Sequence, residues 1–373
     1  MSVCRFFRLS LFVVLMTLVS IPMAGHEARA DISVQDLCGR SVTLSAPAKR
    51  IVVTFNIEEV LAILGPKAEE RIVGWGHIYW KGRRQWIWQK YTEALPWLVE
   101  RPDVGYVEKK TLSAEKIVAL RPDLVIMVAG FEVLAAAEVE QLQHAGIPVA
   151  FVDYHTDTVA THQASTRLLG KLLGEEVRAE RLAQLYAEET AKVTERLKAL
   201  KGPRPRVYLE LGQKGPGEYD NAYGPHMWGA LIDTARGDSI TRDVVKTYGP
   251  VSPELVLSRR PEVIIVTGSY WANQPDSLRL GYFQNAENAR ARLHAYEGRQ
   301  GWKDLPAIQN GRLYGIHHGL SRHIYDFVAL QAIAKMLYPE VFADLDPEAA
   351  LAAFHRDWLP VTFSGVWTAG LDD

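Results

Sequence analysis

Hydrophobic and polar positions follow the same order in two separated stretches of the chain. SAEKIVALRPDLVIMV begins at Ser113, and SPELVLSRRPEVIIVT begins at Ser252. Each stretch reads as a serine cap, a helix with an apolar face, an Arg-Pro-acid stop and a β-branched strand. The repetition predicts one helix–strand unit in two related lobes.

The remaining pattern alternates strands with helices on both sides of this unit. Such alternation favours right-handed crossovers and parallel sheets. It predicts an α/β fold with two Rossmann-like lobes, the second repeating the architecture of the first. The predicted strands lie at 50–53, 71–73, 124–128, 148–152, 206–211, 263–266 and 311–316, and closing helices at 328–337 and 347–354.

A long helical segment separates the two lobes. EEVRAERLAQLYAEETAKVTERLKAL covers 175–200 and is followed by Gly202-Pro203. A helix of about 26 residues would span roughly 39 Å, which is long enough to bridge two lobes. We therefore expect a first lobe at 31–172, a single bridging helix at 173–202 and a second lobe with an extended helical tail at 203–373. The apolar face of this helix is predicted to hold Val177, Leu182, Leu185, Tyr186, Val193 and Leu197.

The first thirty residues have the order of a secretory signal peptide. Arg5 and Arg8 precede an apolar run, and Ala28-Arg29-Ala30 provides a small-x-small cleavage site. The alternative, a membrane anchor, is disfavoured because polar residues and a proline interrupt the run. We expect residues 1–30 to be removed and the mature protein to reside in a bacterial periplasm. Cys38 would then be its only thiol, which excludes an internal disulfide framework.

Length and charge restrict the classes of partner. A chain of 373 residues exceeds what one core usually supports, so two domains are expected. With 42 basic and 44 acidic side chains, the formal charge is -2 and creates no field that would attract nucleic acid. We expect a monomer that binds a small molecule and no nucleic acid.

Four stretches carry a resemblance to a known family: DISVQDLCGRSVTLSAPAKRIVV, SAEKIVALRPDLVIM, SPELVLSRRPEVIIVTG and GWKDLPAIQNGRLYGI. They resemble the periplasmic substrate-binding proteins that deliver iron complexes, haem and cobalamin to ABC importers. The resemblance covers about 31–340 and implies two lobes, one long connecting helix and a ligand cleft between them. The chain departs from the common pattern in an aromatic-rich loop at 74–106 and in a tail after Tyr338.

Candidate ligand-binding residues follow the predicted strands, because ligands of open α/β sheets bind outside the carboxyl ends of the strands. Aromatic rings, cations and imidazoles are concentrated in these loops. The candidates are Trp75, His77, Tyr79, Arg83, Arg84, Tyr106, Tyr223, His226, Tyr270, Trp271, His317, His318 and Arg322.

This set of side chains suits an anionic metal chelate. Arginine forks pair with carboxylate, catecholate or oxyanion groups, and aromatic rings stack on planar ligands. By resemblance, His226 with His317 or His318 could complete the coordination shell of an iron complex, although no metal ligand is assigned. The expected ligand is an iron(III) complex of the siderophore type, and no permanently bound cofactor is expected.

Several aromatic and histidine residues have a simpler structural interpretation. Trp86, Trp88 and Trp97 are expected to pack beneath the loop rather than contact ligand. Histidines within helical stretches are expected to be solvated or hydrogen-bonded. These are His144, His162, His294 and His355.

The resemblance also implies a membrane partner. An acidic residue on the outer surface of each lobe would contact basic residues of the permease of an ABC transporter. Glu132, after the first repeated strand, and Asp276, after the second, are the candidates.

Other ligands, a two-lobed sensor whose partner is a receptor, and one class of enzyme remain open. Haem, cobalamin and a molybdate or tungstate oxyanion are alternative ligands. A secreted metal-dependent α/β enzyme is the alternative class, but GxSxG, HExxH and a phosphate-binding glycine loop are absent from the sequence. We therefore expect a binding protein and no enzymatic activity.

Overall fold

Two open sheets carry the two halves of the chain. The computed structural model describes residues 31–156 and 159–372, and the predicted signal peptide lies outside the described residues. From Asp31 onward the chain is one compact unit. No helix in the described ranges has both the length and the apolar character needed to cross a membrane.

The first lobe contains a hairpin, β1 with β2, and a parallel sheet in the order β4-β3-β5-β6. Its strands are β1 Ile32–Gln35, β2 Ser41–Leu44, β3 Ile51–Val53, β4 Ile72–Trp75, β5 Leu124–Val128 and β6 Val149–Val152. Its helices are α1 Ile57–Leu64, α2 Ala68–Arg71, α3 His77–Arg83, α4 Gln85–Ala94, α5 Trp97–Glu100, α6 Ala114–Ala119 and α7 Ala136–His144.

Two further helices lead to the second lobe, α8 Val159–Leu173 and α9 Glu176–Leu197. At 22 residues, α9 is shorter than the predicted helix. It packs on α8 and α1 on one side and on a helix of the second lobe, Phe327–Leu337, on the other. Its predicted apolar face is largely buried, except that Val177 is 80% exposed in the first turn, where the helix has no packing partner for it.

The second lobe has a mixed sheet in the order β10-β8-β7-β11-β12-β13, with β9 beside β7. Its strands are β7 Arg206–Leu211, β8 Asn221–Tyr223, β9 Asp238–Ser239, β10 Tyr248–Pro250, β11 Val263–Gly268, β12 Leu313–His317 and β13 Thr368–Gly370. Its helices are α10 Trp228–Thr234, α11 Pro253–Arg259, α12 Ala286–His294, α13 Pro306–Gln309, α14 Phe327–Leu337 and α15 Pro347–Trp358.

The expectation that the second lobe simply repeats the first is therefore only partly right. Its central strands β7, β11 and β12 are parallel, as in the first lobe. The short strands β8, β10 and β13 pair in antiparallel fashion at the edges of the sheet. The strand β13 comes from the C-terminal tail and covers an edge that would otherwise be open to pairing.

The repeated helix–strand unit is confirmed in both lobes. The Ser113 hydroxyl accepts a hydrogen bond from Lys116 N, and the Ser252 hydroxyl accepts one from Leu255 N. These N-caps begin α6 and α11, and each helix leads into a fully buried strand, β5 or β11.

The acid of the Arg-Pro-acid stop also has the same role in the two lobes. The Asp123 carboxylate accepts from Arg50 N at 2.9 Å, and the Glu262 carboxylate accepts from Arg206 N at 2.9 Å. Each bond joins the start of a repeated strand to the start of its parallel neighbour. The repeat therefore fixes sheet register, which explains why its polar positions recur as well as its apolar ones.

The segment predicted as an aromatic loop at 74–106 is largely helical. Trp80, Tyr91 and Trp97 from α3, α4 and α5 are buried in the core of the first lobe. Burial of these rings packs the helices against the lobe. The prediction of a loop was wrong because the aromatic residues form the apolar face of helices.

Candidate functional site

A cleft of about 390 Å³ lies between the lobes, beyond the carboxyl ends of strands from both sheets. Predicted ligand-binding residues meet there from the segment between β4 and α4 in the first lobe and from the ends of β8, β11 and β12 and the loops after them in the second. Those that line the cleft are Tyr79, Arg83, Arg84, Tyr223, Trp271, His317, His318 and Arg322.

Arg84 contributes the buried cation of the first-lobe wall. It lies between α3 and α4, and its guanidinium is stacked among the rings of Phe55, Tyr79 and Trp80 at 5.1 to 5.8 Å. The residue is 5% exposed, and among the described residues its Nη2 has no hydrogen-bond partner. A desolvated guanidinium with an unused donor can bind an anionic oxygen.

A buried polar cluster lies beneath this cation, and we call it the floor cluster. It consists of Glu58 and Glu59 of α1, Arg84, and His323 and Tyr325 of the segment before α14. His323 contacts Arg84 and Glu59 at 2.8 and 2.9 Å, and Tyr325 donates to Glu58 at 2.9 Å. The cluster joins the two lobes through hydrogen bonds rather than through apolar contact alone.

The carboxylates of the floor cluster are held in place by further donors. Tyr91 of α4 donates to Glu58 Oε1 at 2.6 Å, and Ile324 N donates to Glu59 Oε1 at 3.2 Å. Glu59 Oε1 also lies 2.9 Å from His323 Nδ1, and Asn56 Nδ2 donates to Glu59 Oε2 at 3.3 Å. Glu59 is therefore a buried anion, matched by donors from the opposite lobe.

The second-lobe wall carries two histidines, His317 at the end of β12 and His318 directly after it. Burial lowers the pKa of His317 to about 3, and burial together with Arg322 and Arg84 holds the pKa of His318 well below its usual value. His318 Nδ1 lies 3.2 Å from Thr267 Oγ1 on the neighbouring strand β11. Both imidazoles are therefore neutral and offer nitrogen lone pairs to the cleft or to its lining.

Arg322 provides the second cation of the cleft. Its backbone has a φ of 72°, in the left-handed region that non-glycine residues rarely adopt. The charge of its guanidinium acts on the Tyr79 hydroxyl from the opposite lobe. Burial opposes ionisation of Tyr79, but Arg322 and Arg84 outweigh burial, so its pKa falls below that of an ordinary tyrosine.

The lobes also meet in an aromatic contact beside the cleft. Trp86 of α4 stacks on Tyr270, with ring centroids 4.7 Å apart and planes 14° from parallel. Gln85 Oε1 accepts from Ala272 N in the same contact. Trp86 therefore packs against the second lobe, whereas Trp88 stacks on Trp75 within the first.

Five predicted residues do not line the cleft. Trp75 is buried and donates to Leu98 O, and His77 packs on its ring at 5.4 Å. Tyr106 lies behind Tyr79 at 4.6 Å and donates to Glu108. The remaining two are His226, which is exposed, and Tyr270, which stacks on Trp86.

Sequence reasoning missed other lining residues, notably Glu108, Lys109, Gln213, Thr247 and Tyr248. It also left the floor cluster out of the candidate site, except for Arg84. Glu58 and Glu59 come soon after β3, so the rule that ligands bind at carboxyl ends could have identified them. Tyr325 gave no comparable signal, because its role depends on the opposite lobe.

The helical histidines have the structural roles that the sequence suggested. His162 contacts Asp326 at 3.0 Å, His294 contacts Glu297 at 2.6 Å, and His355 contacts the Tyr282 hydroxyl at 2.6 Å. His144 is exposed at the end of α7. In the described ranges, no group of three or more histidine, cysteine or acidic side chains is placed to hold a metal ion.

The two candidate docking acids are both exposed. Glu132 follows β5, and its Oε2 accepts from Gly130 N at 2.6 Å. Asp276 lies in the loop after β11, where its position relative to a permease stays a prediction.

Comparison with known proteins places this architecture in a family. Residues 57–319 match the model of a family described as periplasmic binding protein. The TroA-like periplasmic binding protein FepB from Veillonella parvula is 35% identical, with a TM-score of 0.87, covering 91% of this chain and 99% of that one.

Two further proteins match a shorter part of the chain or match it at lower sequence identity. The vitamin B12-binding protein of Salmonella typhi is 31% identical over 173 residues, which are 43% of this chain and 61% of that protein's length. The molybdate periplasmic binding protein MolA of a Haemophilus influenzae ABC transporter has a TM-score of 0.67 at 17% identity, covering 89% of this chain and 99% of that one. The likeness to MolA shows a shared fold alone.

Proposed function

Because this chain belongs to the periplasmic binding protein family, we propose that it captures an anionic iron(III) chelate and delivers it to an ABC importer. The members named above are binding proteins rather than enzymes. The cleft between the lobes is the proposed site of capture.

The observation that carries the proposal is the charge of the cleft. Four basic side chains line it, against one acid, Glu108. Two of the four, Arg84 and Arg322, lie over the ring of Phe55, and each has one buried guanidinium nitrogen without a hydrogen-bond partner among the described residues. An anionic chelate would neutralise these cations, whereas a cationic one would be repelled.

The donors of the cleft support iron in particular. Tyr79 has a lowered pKa, and His318 is held neutral. Phenolate and imidazole groups both bind iron in proteins. They could contact the metal of an incompletely coordinated chelate, or accept hydrogen bonds from its periphery. A volume of about 390 Å³ suits a small chelate better than the much larger corrinoid ring of cobalamin.

Titration of the purified protein with matched chelates tests the proposal. Trp271 lines the cleft, so ligand binding should quench tryptophan fluorescence. We expect ferric citrate, an anionic complex, to bind at micromolar or lower concentration, and ferrioxamine B, a cationic complex, to bind much more weakly. Calorimetry with haemin, cyanocobalamin and molybdate would identify the alternative ligands.

A preference for the cationic complex, or tighter binding of haemin, cyanocobalamin or molybdate, would contradict the iron-chelate proposal. Binding to none of these compounds would contradict the assignment of the cleft. The Arg84→Lys and Arg299→Lys variants described below test whether the binding that is observed depends on Arg84.

Export and docking are separate parts of the proposal. We expect the mature protein to begin at Asp31 in the periplasmic fraction, which N-terminal sequencing would show. We also expect Glu132→Lys and Asp276→Lys to impair uptake in cells without changing ligand affinity in solution, because both side chains are exposed and neither lines the cleft. Unchanged uptake in the double variant would remove these two acids from the docking surface.

A further inference from the structure

We infer that His323 is a positioning residue that orients Arg84 toward an anionic group of the ligand. The ligand in this inference rests on the proposed function, whereas the role of the imidazole rests on the hydrogen bonds of the floor cluster. His323 itself does not line the cleft. It acts from beneath, on the opposite lobe from the arginine it orients.

The hydrogen-bond directions follow from the chemistry of arginine. A guanidinium has five N–H donors and no acceptor, so the contact of 2.8 Å between Arg84 Nη1 and His323 Nε2 requires the imidazole nitrogen to accept. Nε2 therefore carries no proton. The proton of the neutral ring is on Nδ1, which donates to Glu59 Oε1 at 2.9 Å. Glu59 thus selects the tautomer that can hold Arg84.

The guanidinium is oriented by this one bond together with aromatic rings. Arg84 lies 3.9 Å from Glu58 Oε2, which is beyond hydrogen-bond distance. Rings of Phe55, Tyr79 and Trp80 pack around the guanidinium but supply no directional acceptor. The bond to His323 therefore fixes the orientation of the guanidinium beside the cleft, and Nη2 is its buried donor without a partner among the described residues.

The arrangement also connects anion recognition to the contact between lobes. Glu59 and Arg84 belong to the first lobe, and His323 belongs to the second. The imidazole is fully buried between them, so a change in lobe separation changes its hold on the guanidinium. The anion-binding geometry at Arg84 is thus complete only when the lobes are in contact.

Two amide substitutions of His323 test the roles of its two ring nitrogens separately. In His323→Gln, the amide oxygen reaches the place of Nε2 and can still accept from Arg84, while the donor to Glu59 is lost. In His323→Asn, the shorter amide supplies a donor near the place of Nδ1, while the acceptor for Arg84 is lost. Each variant removes one of the two hydrogen bonds, so both should lose similar stability.

We expect the two variants to differ in affinity for ferric citrate. His323→Asn should bind roughly tenfold more weakly than wild type, as expected when a charged hydrogen bond is no longer oriented, whereas His323→Gln should stay within about threefold. His294→Asn is the matched control, since it makes the same substitution at an exposed histidine in α12. Equal losses of affinity in the glutamine and asparagine variants, or losses that follow their melting temperatures, would overturn the inference.

A measurement without ligand tests the inference independently of the proposed function. Long-range proton–nitrogen correlation spectra of the full protein at neutral pH should show His323 with a protonated Nδ1 and a bare Nε2. The signal is assigned by its loss in His323→Gln. The opposite tautomer, or a doubly protonated ring, would refute the role of His323 even if ferric citrate binds. If ferric citrate does not bind but the tautomer is as stated, the positioning of Arg84 stands and the proposed ligand fails.

Discussion

Two buried arginines on opposite lobes have contrasting environments. Arg299 of the second lobe donates from Nη1 to Glu210 Oε1 at 2.7 Å, and its other two guanidinium nitrogens, Nε and Nη2, donate to backbone carbonyls. The backbone carbonyls that accept from it are those of Gly215, Pro216 and Glu218. Arg84 is buried to a similar extent but makes one side-chain hydrogen bond, to His323, and leaves Nη2 without a partner among the described residues.

The contrast indicates which buried charge supports the fold and which is available for binding. Arg299 uses its donors to hold the loop 215–218 in place, and aromatic rings enclose it. Arg84 is desolvated without being fully satisfied, a state that costs stability unless a ligand or a rigid surrounding compensates. A buried charge with unused donors beside a cleft is therefore a stronger sign of function than a buried charge in a complete network.

The largest effect should come from breaking the satisfied pair. We expect Arg299→Met to lower the free energy of unfolding by about 3–5 kcal/mol, because the buried Glu210 would lose its cationic partner and keep only the hydrogen bond from Tyr208. Urea denaturation measures this. Arg167→Met, which breaks an exposed pair with Glu180, is the control and should have a much smaller effect.

A second substitution, at Glu210, tests why Arg299→Met loses stability. If the loss reflects an unpaired carboxylate, Arg299→Met combined with Glu210→Leu should recover much of the lost stability. A small loss in Arg299→Met would show that the pair is not a main support of the second lobe, and the comparison with Arg84 would fail.

Acid should destabilise the region around Arg84 through its neutral histidines. The pKa of His317 is about 3 in the folded protein, against an unperturbed value of 6.5. Because the unfolded chain binds a proton that the folded state excludes, stability is complete above pH 6.5 and falls as pH decreases toward 3. Between pH 6.5 and pH 5 we expect a loss of roughly 2 kcal/mol from this histidine.

His355, whose pKa is lowered by burial to about 4, provides a test of the same effect away from the cleft. Urea denaturation at pH 7 and pH 5 should show a shallower pH dependence in His355→Gln than in wild type. The exposed His144→Gln variant should retain the wild-type slope. An unchanged slope in His355→Gln would contradict the assignment of this histidine as neutral in the folded state.

Lysine substitutions at the two arginines should differ in their effect on ligand affinity. We expect Arg84→Lys to weaken ferric citrate binding roughly tenfold, because an ammonium cannot keep both the bond to His323 and a directed donor at the cleft. Arg299→Lys should leave affinity nearly unchanged while lowering the melting temperature. If both variants lose affinity equally, Arg84 has no special role in anion recognition.

The smallest effect should come from the aromatic contact between lobes. Trp86→Ala removes the stack on Tyr270 and should cost about 0.5–1.5 kcal/mol beyond the loss of buried area. Trp86→Phe, which preserves an aromatic contact, is the matched control. Small-angle scattering should show a larger radius of gyration for the alanine variant alone, and equal radii for all three proteins would mean that the stack does not set lobe separation.

The element order was readable from the sequence because it depends on neighbours a few residues apart. Ser113 and Ser252 begin helices through bonds to the third residue along, and the strands after them are apolar throughout. The segment 74–106 was misread for the same reason. Its helices are stabilised by rings such as Trp80 that are buried against distant parts of the lobe, so local pattern alone did not indicate them.

The sequence by itself determined two related α/β lobes, the helical region between them and the presence of aromatic and cationic loops at strand ends. Tertiary structure decided which of those side chains share a cleft, which are buried in the core, and which charged groups beside the cleft keep donors without a partner among the described residues. His323 and Glu59 are 264 positions apart and meet only when the lobes pack. Burial and hydrogen-bond direction arise from that packing, and they distinguish Arg84 from Arg299.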